Sequence, residues 1–137
     1  TWGEWERSTY NNPTNPDKHL GCIDCHMHGD NTKIGQDIPG TSTDGGQLKK
    51  DVKTHQFSGA NHFLLGLRNK KLESMSIDLL KSSASLEQRL DKKQLVVRVN
   101  NVGAGHALPT GVADFRQFWL QVNVTDASGK LILQSGQ

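Results

Sequence analysis

Both cysteines of the chain fall within one five-residue stretch, Cys22-Ile23-Asp24-Cys25-His26. The C-x-x-C-H spacing is the attachment signature of a c-type haem. Each cysteine forms a thioether bond to one of two vinyl groups on the same side of a porphyrin, and two intervening residues give that reach. The His directly after the second Cys then falls under the iron as proximal ligand, which assigns Cys22, Cys25 and His26. Three other readings compete. A zinc site would join Cys22 and Cys25 to His26, His28 or His55. A redox dithiol needs a hydrophobic strand and a βαβ context, whereas a loop rich in Asn and Pro precedes this motif. A structural disulfide is the plainest alternative. The adjacent His26, six histidines in 137 residues and a thin apolar content favour haem.

The apolar content is also uneven. Residues 1–56 hold 12 residues of the AVILMFWYC set and residues 57–137 hold 34. A first segment so poor in apolar groups would struggle to build its own core, and a porphyrin would supply an apolar plate to pack against. Turn formers fill that segment, in Asn11-Asn12-Pro13-Thr14-Asn15-Pro16-Asp17 and again in Gly40-Thr41-Ser42-Thr43-Asp44-Gly45-Gly46. From Phe57 the pattern changes. Phe63, Leu64, Leu65 and Leu67, then Leu72, Met75, Leu79 and Leu80, recur at helical spacing and predict one or two short helices over 60–83. Leu95, Val97 and Val99 alternate with Val96 and Arg98, and Phe118 to Val124 alternate likewise, so both read as strands. Leu86–Leu90 is a weaker partner strand with Asp91-Lys92-Lys93 as its turn. Asp126-Ala127-Ser128-Gly129-Lys130 is a turn into a strand opening at Leu131-Ile132-Leu133. The expected fold is α+β. A loop-rich haem-binding segment with short helices spans 1–83, and a partial antiparallel β-sandwich spans 84–137, the two packed as one unit. The last strand stops abruptly at Gln137, which predicts a cut chain or an edge covered by another chain, a route to assembly.

The balance of 16 basic and 14 acidic residues argues against a nucleic-acid partner. No apolar run is long enough for a membrane span, and no leader stands at the front, so an export signal would have been removed or would lie on a longer precursor.

The sixth iron ligand decides the chemistry. Ligands on opposite haem faces have Cα atoms on the order of 12 Å apart, and two residues reach at most about 7 Å. That removes Met27 and His28, and the path of His19 is pinned by Cys22. His55 ranks first, at a loop-to-helix junction where Phe57 would pack on the ring. His106, in a glycine-rich loop, ranks next. His62 follows, then Met75, another chain or an open site. Met75 reads mainly as core. Trp5 could shield the porphyrin, Tyr10 could bond near the iron, and Arg116 could neutralise the propionates. Lys49 and Lys50 read as solvated.

Five pieces occur in order: Trp5-x-x-Ser8-x-Tyr10, Cys22-x-x-Cys25-His26-Met27, His55-x-Phe57-x-Gly59, Asn101-x-Gly103-x-Gly105-His106-x-x-Pro109-Thr110-Gly111, and Asp114-x-Arg116-x-x-Trp119-Leu120. Together they resemble bacterial periplasmic c-type cytochromes of the multihaem class. The resemblance implies a haem segment followed by a β-sandwich-like domain, and a low-potential bis-histidine haem with His55 as distal ligand. It implies a periplasmic electron carrier that serves redox partner proteins and is not an enzyme. The chain departs from that pattern in having a single C-x-x-C-H, as a fragment or a single-haem relative would. A haem-based sensor of small ligands, a small haem enzyme and a subunit of a larger multihaem assembly are the alternatives.

Overall fold

The computed structural model describes residues 1–15, 19–29 and 32–136. The Pro16-Asp17 end of the first predicted loop and Gln137 lie outside them. The chain divides into two compact units, Thr1–Ala107 and Leu108–Gln137. The expected boundary between residues 83 and 84 falls inside the first.

The described residues of the first unit form the helices α1 (Trp2–Glu6), α2 (Cys22–His26), α3 (His62–Gly66) and α4 (Lys70–Ser83). The helical spacing over 60–83 thus resolves into two helices. Asn69 separates them by capping α4, its side chain accepting from the Lys71 N–H at 2.8 Å. α4 is amphipathic, with Leu72, Met75, Ser76 and Leu79 on one face. It leads directly into β1 (Ala84–Asp91), which pairs antiparallel with β2 (Gln94–Asn101). Lys92, at φ 55°, makes the turn between them.

In the second unit, β3 (Val122–Thr125) pairs antiparallel with β4 (Leu131–Ser135). Asp126 builds the turn, its carboxylate accepting from the N–H groups of Ser128 (2.8 Å) and Lys130 (3.0 Å). The strand expected from Phe118 starts only at Val122. The register sets Val122 against Ser135, so residues 118–121 run past the end of β4. The described strands form two separate two-stranded sheets, and no sandwich is shown among them. The architecture is therefore α+β, in short elements.

Among the described residues no apolar side chain is buried; His28, Ser58 and Ser76 are the buried polar ones. The accessible surface is 10654 Å², against about 7,100 Å² for a folded monomer of this mass. Leu86, Leu90, Leu95 and Val99 share one face of the β1–β2 hairpin and stand exposed. No helix is long and apolar enough to cross a membrane among the described residues.

Candidate functional site

The C-x-x-C-H run forms the single turn of α2, and polar bonds fix it. The Asp24 carboxylate caps the helix by accepting from the Gly21 N–H at 2.7 Å. Its other oxygen lies 2.7 Å from Lys53 Nζ, which also reaches Asp51 at 2.8 Å. The Lys53 side chain is only 10% exposed. Burial pulls its ammonium down, but the bonds and charges of Asp24 and Asp51 outweigh that and hold it above the usual lysine range. The bond from Lys53 in turn holds the Asp51 carboxyl below its ordinary value. Burial first, then the charges of Asp24 and Cys22, push the Cys25 thiol up.

His26 is held by the loop 55–61. Its Nδ1 donates to the Ser58 carbonyl at 2.6 Å, and the Ser58 N–H donates to the His26 carbonyl at 3.0 Å. Phe57 turns the chain there at φ 50°, a left-handed conformation that costs a non-glycine residue on the order of 1 kcal/mol. The Asn61 amide braces the turn by donating to the Phe57 carbonyl at 3.0 Å.

His106 sits in the loop that follows β2. Val102 and Gly103 donate to the Ser83 carbonyl, both at 3.1 Å, and tie the loop to the end of α4. The Tyr10 hydroxyl donates to the Gly103 carbonyl at 3.2 Å. A Cβ on Gly103 would collide with the Ser82 carbonyl, and one on Gly105 would meet Tyr10 at 3.1 Å and Trp5 at 3.2 Å. These two glycines let the backbone approach where side chains could not. Asn101 closes the loop, its amide donating to the His106 carbonyl at 2.7 Å and its oxygen accepting from Ala104 N–H at 3.1 Å.

The imidazoles of His26 and His106 lie with centroids 6.1 Å apart and planes 15° from parallel. His106 Nδ1 donates to the Ala107 carbonyl at 2.9 Å. A carbonyl can only accept, so Nδ1 carries a proton in both rings, and in the neutral imidazole Nε2 is the nitrogen with the lone pair. Two such rings bound trans to one metal at about 2.0 Å have centres about 6.3 Å apart, against about 5.2 Å at a tetrahedral angle. The separation also suits an ordinary offset ring pair. Both rings keep Nδ1 on a backbone carbonyl, which leaves Nε2 as the nitrogen a metal would take. This donor set fits a haem iron. Among the described residues no group of three or more His, Cys, Asp or Glu could hold a metal ion, as the zinc reading would need.

The other sequence-predicted residues lie elsewhere. His55 is exposed, its ring 5.8 Å edge-on from that of Phe57; the ring contact of His26 is with His106. His62 is exposed at the start of α3. His19 meets Trp5 edge-on at 5.5 Å. The Trp5 indole donates to the Leu20 carbonyl at 2.8 Å. His28 is buried, its Nδ1 bonded to the Cys25 carbonyl at 2.8 Å. With Met75, Ile34 and Leu79 it lines a cavity of about 390 Å³. Arg116 is exposed in the second unit. Sequence reasoning passed over Ser58, Asn61, Ser76 and Lys53. A usable signal existed for Ser76, a small polar residue inside the apolar stripe of α4. No protein-family model, no curated protein and no solved structure matches the chain.

Proposed function

We propose that the chain is a c-type cytochrome that carries one covalent haem c on Cys22 and Cys25, with its iron held between His26 and His106. It passes electrons between redox partner proteins in the periplasm. The observation that carries the reading is the His26–His106 pair, nearly parallel, 6.1 Å between centroids, each ring tied through Nδ1 to a backbone carbonyl. His106 takes the role that the order of the sequence suggested for His55. The lack of any buried apolar side chain among the described residues also suits a chain whose interior includes an apolar prosthetic group.

The haem supplies a one-electron ferric–ferrous couple when bound. The chain's own residues set its behaviour. His26 and His106 would hold the iron between them and would leave no ligand position for a substrate, which argues for a carrier over an enzyme. The carbonyls of Ser58 and Ala107 raise the basicity of the two rings and orient them. Two histidines keep the potential below that of a Met/His pair.

The test is the optical spectrum of the reduced protein with and without carbon monoxide, for the wild type, His106→Ala and His55→Ala. The wild type and His55→Ala should be low-spin and unresponsive to carbon monoxide, and His106→Ala should bind it. A wild type that binds carbon monoxide would point instead to a sensor or an enzyme. A response confined to His55→Ala would return the ligand role to His55. No haem, from a host able to attach it, would overturn the cytochrome reading.

A further inference from the structure

Ser58 and Ser76 are the most deeply buried side chains among the described residues, at 1% and 0% exposure. The Ser58 hydroxyl makes no hydrogen bond, and it is the backbone of Ser58 that Ser76 meets, across a single peptide unit. That unit contains the Ser58 carbonyl and the Gly59 N–H. Its oxygen accepts from His26 Nδ1 at 2.6 Å, and its N–H donates to Ser76 Oγ at 3.3 Å. A peptide is planar, so fixing its N–H fixes the direction of its carbonyl. A hydrogen bond at the N–H also polarises the amide and strengthens the carbonyl as an acceptor. Ser76 Oγ donates onward to Asn61 Oδ1 at 3.4 Å, and Asn61 Nδ2 holds the Phe57 carbonyl at 3.0 Å. Both peptide units that flank the Ser58 α-carbon are therefore held, one by Ser76 and one by Asn61.

We infer that Ser76, acting through the Ser58–Gly59 peptide, is a positioning residue that raises the basicity of His26 and so lowers the potential of the haem. The inference rests on the reading of His26 as an iron ligand. Its logic is that of an outer-shell partner to a ligating histidine: a stronger acceptor at Nδ1 gives the ring more imidazolate character, which favours ferric iron. A polar residue at full burial on the apolar face of α4 is otherwise a cost. Its hydroxyl uses both capacities, accepting from Gly59 and donating to Asn61.

The test is the midpoint potential of the haem-loaded chain by optical titration, in the wild type, Ser76→Ala and Ser76→Thr. Ser76→Ala should shift the equilibrium toward ferrous iron by about threefold, or about 28 mV at 59 mV per tenfold change. Ser76→Thr, which keeps the hydroxyl, should restore most of it. Asn61→Ala, at a less buried site, should move the potential in the same direction by less, and it serves if Ser76→Ala fails to mature. A lowered melting temperature with an unmoved potential, in whichever of these variants carries haem, would leave Ser76 a structural residue and overturn the inference alone. A wild type without covalent haem would overturn the cytochrome reading and this inference with it.

Discussion

The two units hold their shape by different means. In Thr1–Ala107, polar bonds set the geometry around α2: Asp24 between Gly21 and Lys53, Ser58 on His26, and Asn101 across the His106 loop. The buried side chains among the described residues there are a histidine and two serines. In Leu108–Gln137, the large apolar groups stand in the open, Phe115 at 85% and Trp119 at 72% exposure, around one short hairpin. An isolated two-stranded hairpin is marginal in water. The first unit holds the imidazoles of His26 and His106 with centroids 6.1 Å apart. The second offers apolar surface and little internal restraint.

Three substitutions would break or sharpen that contrast. The largest effect is expected at Gly103. A Cβ there collides with the Ser82 carbonyl, so Gly103→Ala must displace the His106 loop. It should cost about 2 kcal/mol or more and convert part of the ferrous haem to a form that binds carbon monoxide. A variant as stable and as unresponsive as the wild type would show that the loop is not held as described.

Lys53→Met should cost about 2 kcal/mol in urea unfolding at neutral pH, because it leaves two partly buried carboxylates without their cation. The pH dependence has a defined sign. The lowered Asp51 value means that its contribution is present above the ordinary carboxylate value of about 3.9 and is lost as pH falls through the folded one. The raised Lys53 value means that its contribution is present below about 10.4 and is lost as pH rises through the folded one. Wild-type stability should therefore fall at both ends, and Lys53→Met should flatten both limbs. Limbs that survive the substitution would locate the dependence elsewhere.

The smallest effect is expected in the second unit. Ile132 is 65% exposed, and Ile132→Thr should change stability by less than about 0.5 kcal/mol and leave the optical spectrum as it was. A larger loss would mean that this surface is covered in solution.

The local features were legible in the sequence, and the long-range ones were not. Asp91-Lys92-Lys93 made the predicted hairpin turn, while the helix that C-x-x-C-H forms had no prediction. The spacing over 60–83 gave helices because propensity and period agree there. The alternation from Phe118 outran its partner, since strand length is set by the register of the opposite strand. His106 was harder to rank because no local pattern records that α4 and the β1–β2 hairpin return the chain, 80 residues on, to His26. His55 lies seven residues ahead of α3, and Ser58, three residues on, is the residue that reaches His26, through a backbone atom that has no sequence signature. Lys53 was overlooked because a lysine two residues from His55 reads as solvated until its two carboxylates are seen.

The central claim is that His26 and His106 share one iron. Electron paramagnetic resonance of the frozen, oxidised, haem-loaded chain tests it most directly. Imidazole planes 15° apart would split the iron's two π-type d orbitals, so a low-spin rhombic spectrum with three resolved g values is expected, lost in His106→Ala. A high-spin signal, a single highly anisotropic low-spin feature typical of crossed planes, or a rhombic spectrum unchanged in His106→Ala would contradict it.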